Sequence, residues 1–252
     1  MAIHTPLTGK NFVIIGGTGA IGSAAAQALS ALSARIHIVD REPSIAERGQ
    51  DVIASLAGEG ILYDAEITST PSLQALRERL AGECGGAIHG LINASGFTKA
   101  IPHADLDALT DEFIDEMFQV NWRAQFAVIR ELTPLLKASG DGIVISLSSI
   151  AAFTAVGSNI AYCAAKAGID VMTKALARVL APEVRILAIS PGVVDTSFVP
   201  GRGADFSQTV ADATPLKRIG TTEDIAKAIV ACVSYLPYST GHIIQVDGGR
   251  AL

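Results

Sequence analysis

Short apolar runs rich in β-branched residues alternate with longer helical patterns from one end of the chain to the other, and no other feature restricts the fold as much. Phe12–Ile15, Arg35–Val39, Ile61–Tyr63, Ile88–Ile92, Ile143–Leu147, Val184–Ile189 and Ile243–Val246 read as strands. Ala20–Leu32, Ser72–Ala81, Asp111–Lys137, Tyr162–Leu180 and Thr222–Tyr235 read as helices. Alternation at this spacing predicts βαβ units, hence a parallel sheet with helices on both faces. Right-handed crossovers make it a doubly wound α/β sheet of the Rossmann type, with about seven strands. The hydrophobic content of 49%, carried by Ala, Val, Ile and Leu rather than aromatics, suits strands buried on both faces. A chain of 252 residues fits one such domain, and no repeat, low-complexity tract or linker divides it. The segment 197–215, with Pro200, Gly201, Gly203 and Pro215, departs from the alternation and predicts a substrate lid.

Charge and cysteine usage exclude several functions. The net charge is -6 and no Lys/Arg run stands out, which argues against a nucleic-acid groove. Cys84, Cys163 and Cys232 lack metal-type spacing, so they read as reduced thiols with no metal site. No apolar run reaches membrane-spanning length. Residues 1–9 carry neither a basic region nor an apolar stretch of signal-peptide type, and a cytoplasmic location is expected.

Gly16-Gly17-Thr18-Gly19-Ala20-Ile21-Gly22 follows the first strand and opens the first helix. Glycines there let the backbone turn tightly and approach a pyrophosphate, which the helix N-terminus attracts through free N–H groups. Asp40 ends the second strand. Its carboxylate would accept from the adenosine ribose hydroxyls and repel a 2′-phosphate, which favours NAD over NADP. Arg41 beside it is the feature that would suit a phosphate.

Tyr162 and Lys166 stand four residues apart in a helical pattern, on one face. An ammonium beside a phenol favours the phenolate and draws its pKa down from about 10. Such a tyrosine can act as general acid or base. Ser149 follows a buried strand, where a hydroxyl can donate to a carbonyl oxygen as charge develops on it. By position alone Ser146 and Ser148 serve equally. No His/Asp pattern supports a hydrolase nucleophile.

Together these features resemble the short-chain dehydrogenase/reductase family in its single-domain form. The resemblance runs from about Leu7 to Gly249. It rests on Gly16–Gly22, Asp40, Asp64, Asn93-Ala94-Ser95-Gly96, Asn121, Ser149, Tyr162-x-x-x-Lys166, Pro191-Gly192 with Thr196, and Val246-Asp247-Gly248-Gly249. The interval between Ser149 and Tyr162 matches the family and selects Ser149 over its serine neighbours. The resemblance implies that Tyr162 is the general acid in reduction and the base in oxidation. Lys166 would bind the nicotinamide ribose and lower the Tyr162 pKa, Ser149 would hold the substrate oxygen, and Asn121 would anchor a water relaying protons from Lys166. Asp64 and Ala65 would meet adenine. Asn93 would steady the central strands beside the cofactor, and with Ala94, Ser95 and Gly96 it would contact that cofactor. Pro191, Gly192, Val194 and Thr196 would flank the nicotinamide. A homotetramer or homodimer pairing the helices Asp111–Lys137 and Tyr162–Leu180 is also implied. The sequence departs from the family pattern in having Ala20 where a loop glycine is usual, with Gly19 one residue earlier, and Leu187 in place of an asparagine.

The expected function is hydride transfer between NAD and a small-molecule secondary alcohol or ketone. The alternatives are an NADPH-dependent 3-oxoacyl-carrier-protein reductase and a non-catalytic dinucleotide-binding protein. A nucleotide-sugar epimerase would need a further substrate domain for which this chain is too short. The substrate pocket is expected from 197–215, 151–160 and 97–105. Phe97, Phe153, Ile160, Phe198 and Phe206 would make it partly apolar, with Lys99 and Arg202 as its only evident cations. His103, His242, Cys163, Trp122 and Asp195 read as surface, turn or packing residues.

Overall fold

A computed structural model describes residues 6–199 and 205–252. Among them, β1 (Asn11–Ile15), β2 (Arg35–Asp40), β3 (Gly60–Asp64), β4 (Gly90–Asn93), β5 (Gly142–Leu147), β6 (Val184–Pro191) and β7 (Ile243–Val246) form one sheet in the order β3-β2-β1-β4-β5-β6-β7. Every pairing is parallel. The connecting helices are α1 (Ala20–Ser30), α2 (Glu42–Ser44), α3 (Gln50–Ala54), α4 (Thr70–Glu83), α5 (Asp111–Phe118), α6 (Ala124–Ala138), α7 (Ala151–Thr154), α8 (Ile160–Leu180), α9 (Phe206–Ala213) and α10 (Thr222–Ser234). None of the described helices is long and apolar enough to cross a membrane.

The pleat divides the core. Ile14, Ile38, Ile92, Ile145 and Ile189 face one side, where Ala25, Leu29, Ile225 and Ile229 of α1 and α10 cover them. Val13, Leu91, Val144 and Ile186 face the other, under Leu76, Leu132 and Ile169 of α4, α6 and α8. Burial on both faces explains why the strands read as unbroken apolar runs. Strand order reverses between β1 and β4, which opens a crevice at their carboxyl ends.

Four details differ from the sequence expectation. The fourth strand starts at Gly90 rather than Ile88, because the Ile88 N–H is drawn to the Leu135 carbonyl. Helix α8 starts two residues before Tyr162, where Asn159 caps it. The helix expected over 111–137 contains a π turn, Gln119–Arg123, between α5 and α6. A second π turn, Ile45–Gly49, joins α2 to α3 in a stretch too polar to show a helical apolar period. Of the expected lid, residues 200–204 lie outside the described residues, while α9 forms within the remainder.

One polar group is sealed on the α4 side of the sheet. His37 of β2 is fully buried, with Nε2 3.1 Å from Asn11 Oδ1 and Nδ1 3.1 Å from the Tyr63 hydroxyl. The Asn11 amide nitrogen donates to the Ala87 carbonyl, so its oxygen faces the ring as acceptor. Nε2 therefore carries the hydrogen and Nδ1 accepts from Tyr63.

Candidate active site

The glycine turn is built by close backbone approach. Gly16 has φ +73, and a Cβ on it would fall 2.8 Å from the Ser95 backbone. A Cβ on Gly22 would fall 2.2 Å from the Gly16 carbonyl oxygen, so α1 rests directly on the turn. Gly19, the N-cap of α1, supplies no side-chain acceptor, and the first turn has no acidic residue. The leading N–H groups of this helix are thus left for an anion.

These residues wall a cavity of about 620 Å³, with Gly16, Gly19, Ala20, Ile21, Gly22, Asp40, Arg41, Ala65, Ala94, Ser95, Gly96 and Thr196 among its lining. Ser95 Oγ is buried there without a hydrogen-bond partner among the described residues. The Asp40 carboxylate accepts from the Thr18 N–H at 3.1 Å and from the Thr18 hydroxyl at 2.5 Å, and its other oxygen accepts from the Arg41 N–H at 2.9 Å. Thr18 is itself buried and acts by holding Asp40. A helix mouth for a pyrophosphate, a fixed carboxylate for a ribose and an orphaned hydroxyl in the same lining fit a dinucleotide.

Two expected contacts fall elsewhere. Asp64 is exposed and outside the cavity wall, where Ala65 and Glu66 stand instead, although it shares a sheet face with its register partner Asp40. Asn93 is fully buried, yet neither its amide nitrogen nor its oxygen has a hydrogen-bond partner among the described residues, so no side-chain bond steadies the strands there. Ser44, Arg48, Ile67 and Thr68 line the cavity and were not anticipated.

A second cavity, of about 790 Å³, shares Thr196 and Phe198 with the first. Ser149, Tyr162, Pro191, Gly192 and Val194 line it. The Tyr162 and Phe198 ring centroids are 6.3 Å apart. Lys166 is 3% exposed, with Nζ 5.7 Å from the Tyr162 ring centroid and donating to the Leu147 carbonyl at 2.6 Å. Burial pushes its ammonium down to about 8, opposed by the Asp170 carboxylate. Ser148 Oγ is engaged by the Asp170 carboxylate and the Lys166 carbonyl, and Ser146 is buried beneath. Ser149 Oγ accepts from the Ala151 N–H at 3.2 Å, which leaves its hydroxyl hydrogen for another acceptor.

The side chain of Asn121 is committed to the loop after β4. Its oxygen accepts from the Phe97 N–H at 3.2 Å, and its nitrogen donates to the Phe97 and Met117 carbonyls. The π turn presents it so, and it pins the loop after β4. A Cβ on Gly96 would lie 2.6 Å from its oxygen. Asn159 was missed by sequence reasoning. It is fully buried, accepts from the Tyr162 N–H at 2.7 Å, and donates to Thr98 Oγ1 and the Lys99 carbonyl. An Asn before an apolar helix is a cap signal that could have found it. Trp122 stacks on Phe126 and packs against the core, as expected. Phe153 and Ile160 do not line the second cavity, and Lys99 does not reach it. Arg250 does. Arg202 lies outside the described residues.

Fold and cavities define a doubly wound dinucleotide-binding domain. Comparison with known proteins extends this. The family model described as enoyl-(acyl carrier protein) reductase matches residues 16–251. The protein named ketoacyl reductase 2 of the granaticin polyketide synthase, from Streptomyces violaceoruber, is 33% identical over 244 residues, 95% of each chain. Cis-4-hydroxycyclohexanecarboxylate dehydrogenase of Sinomonas cyclohexanicum is 30% identical over 242 residues, 94% of each. The solved structure of a short-chain type dehydrogenase/reductase from Mycobacterium ulcerans superposes with a TM-score of 0.88 at 26% identity, covering 97% of this chain and 90% of that one. The chain belongs to the short-chain dehydrogenase/reductase family of oxidoreductases, whose members bind a nicotinamide dinucleotide.

Proposed function

We propose that the protein transfers a hydride between NAD and a secondary alcohol or ketone, with Ser149, Tyr162 and Lys166 as its catalytic set. One observation carries this reading. A buried ammonium lies 5.7 Å from the Tyr162 ring, and Tyr162 and Ser149 share a cavity that joins the dinucleotide cavity at Thr196 and Phe198. The nicotinamide supplies the hydride in reduction and takes it up in oxidation. In reduction the Tyr162 hydroxyl gives its proton to the substrate oxygen, while Ser149 donates a hydrogen bond to the same atom. The Lys166 ammonium stabilises the phenolate left behind. In oxidation the phenolate takes the hydroxyl proton. Tyr162→Phe removes only the proton carrier, so turnover should fall by at least about a thousandfold with cofactor affinity unchanged. Substantial residual turnover would overturn the assignment.

Asp40 supports NAD. A second reading, NADPH-dependent reduction of an oxoacyl substrate, draws on Arg41, Ser44 and Arg48 along the same wall, where two guanidinium groups suit a 2′-phosphate. The relatives named ketoacyl reductase and cis-4-hydroxycyclohexanecarboxylate dehydrogenase are consistent with either direction of the reaction. Parallel assays with NAD and NADP decide between the two. We also infer a cytoplasmic homotetramer or homodimer paired through α5–α6 and α8. Val171 and Val179 of α8, each 67% exposed, support such a contact. Sedimentation at equilibrium tests it, and a monomer at micromolar concentration would refute it.

A further inference from the structure

Beyond β7 the chain makes a turn that delivers a cation to the second cavity. The Gly192 N–H donates to the Val246 carbonyl, which holds the end of β7 against the end of β6. Gly248 and Gly249 then adopt φ +66 and +85, a conformation that other residues rarely take. The Asp247 carboxylate accepts from the Gly249 and Ala251 N–H groups, both at 2.9 Å. The acid nearest in sequence is therefore used inside its own turn. Arg250, the residue between, lines the cavity that holds Ser149 and Tyr162.

Arg250 is the sole charged group among the described residues lining that cavity, whose other walls include Val193, Phe198 and Phe206. Its guanidinium makes one hydrogen bond among the described residues, a long 3.4 Å contact from Nη1 to the Val210 carbonyl of α9. That carbonyl already accepts from the Thr214 hydroxyl at 2.7 Å, so Arg250 is a poor clamp for the helix. No carboxylate pairs with it among the described residues. A planar fork of five donors, with one weakly used, against largely apolar walls, matches a bidentate oxyanion.

We propose that the substrate carries a carboxylate remote from its reacting carbon, and that Arg250 binds it. This deepens the reading of Ser149 and Tyr162 as the reacting end of the same cavity. Arg250 sets specificity: it orients the acid so that the carbonyl meets Ser149 and Tyr162, and it discriminates against neutral analogues that cannot accept a charged bidentate pair.

The test uses the full-length enzyme with oxo acids whose carbonyl lies three to six carbons from the carboxylate, alongside their methyl esters. For at least one chain length, wild-type kcat/KM should favour the acid over its ester by about 10- to 100-fold, the range expected of a charged hydrogen-bonded pair. Arg250→Gln should erase that preference through KM, while ester turnover and cofactor affinity stay within about twofold, and Arg250→Lys should restore part of it. Equal losses for acid and ester would mean a purely structural arginine and overturn the proposal. Should Arg250→Gln fail to fold, the wild-type ratio decides, and a value of one or less at every length overturns it. Calorimetry of the acids on the cofactor-loaded Tyr162→Phe variant separates the two readings. Arg250-dependent acid binding with no turnover by wild type would sink hydride transfer and keep the anion site. Turnover of esters without any Arg250-dependent acid binding would do the reverse.

Discussion

Lowering the pH from 7 to 4 should cost the fold about 3 kcal/mol at a single imidazole. His37 is fully buried between Asn11 and Tyr63, with Cys84 Sγ 3.4 Å from its Nε2. Burial, with the Arg35 charge adding to it, lowers its pKa from 6.5 to about 4. Tyr63 is itself pushed up to about 12 and Cys84 to about 11, chiefly by burial, so neither supplies an anion to offset a charged ring. Because the folded pKa is depressed, the unfolded chain binds the proton first. Stability is complete well above pH 6.5 and is lost as the pH falls through the window between 6.5 and about 4. Linkage gives a loss of about 2 kcal/mol by pH 5 and about 3 kcal/mol by pH 4. For a chain of this size, 2 kcal/mol corresponds to roughly 4–8 °C in Tm. The assay is Tm against pH for the wild type and for His37→Gln, which keeps a hydrogen-bonding group but cannot titrate. The variant should start lower at pH 7, then lose less on acidification, so that the gap narrows by about 4–8 °C at pH 5. Parallel curves from pH 7 to 5 would refute the reasoning.

Asn159→Ala removes the cap of α8 and leaves the Lys99 carbonyl unpaired. It should cost about 2–3 kcal/mol and lower kcat more than cofactor affinity, since Tyr162 is what it positions. An unchanged melting temperature would count against this. Gly22→Ala places a methyl group 2.2 Å from the Gly16 carbonyl oxygen, so α1 must shift. Cofactor affinity should fall by about 10- to 100-fold, read by fluorescence titration, and an unaltered Kd would refute the tight seating. Asp40→Ala should weaken the preference for NAD by about tenfold or more, and Arg48→Ala should lower use of NADP alone. Selectivity unmoved by either would remove both residues from that role.

The strands were legible because burial on both faces leaves each as a continuous β-branched run, such as Phe12–Ile15 or Ile143–Leu147. The proximity of Ser149, Tyr162 and Lys166 was legible too, since a fixed interval and an i, i+4 pair survive folding unchanged: Ser149 and Tyr162 line one cavity, and Lys166 Nζ lies 5.7 Å from the Tyr162 ring. The π turns were not. They differ from α-helix by one residue per turn and leave no periodic trace in Gln119–Arg123. Arg48 was hidden in a polar helix with no apolar stripe. Arg250 was hidden because its direction depends on two glycines in left-handed conformation and on where Asp247 spends its carboxylate, which are tertiary facts. Asp64 shares the face of its register partner Asp40 but sits on the edge strand β3, exposed and outside the cavity wall, which strand parity alone does not reveal.

The π turn at Gln119–Arg123 inserts a single residue between two helical lengths that must each meet their own neighbours, α5 the tyrosine-bearing helix and α6 the sheet. Deleting one residue there would straighten the rod and rotate everything upstream of it by about a quarter-turn. Asn121 would swing away from Phe97, and Phe113 and Met117 would leave α8. The length of this helix is therefore set by phase rather than by span, and natural insertions or deletions should be tolerated in the loops to either side but not within it.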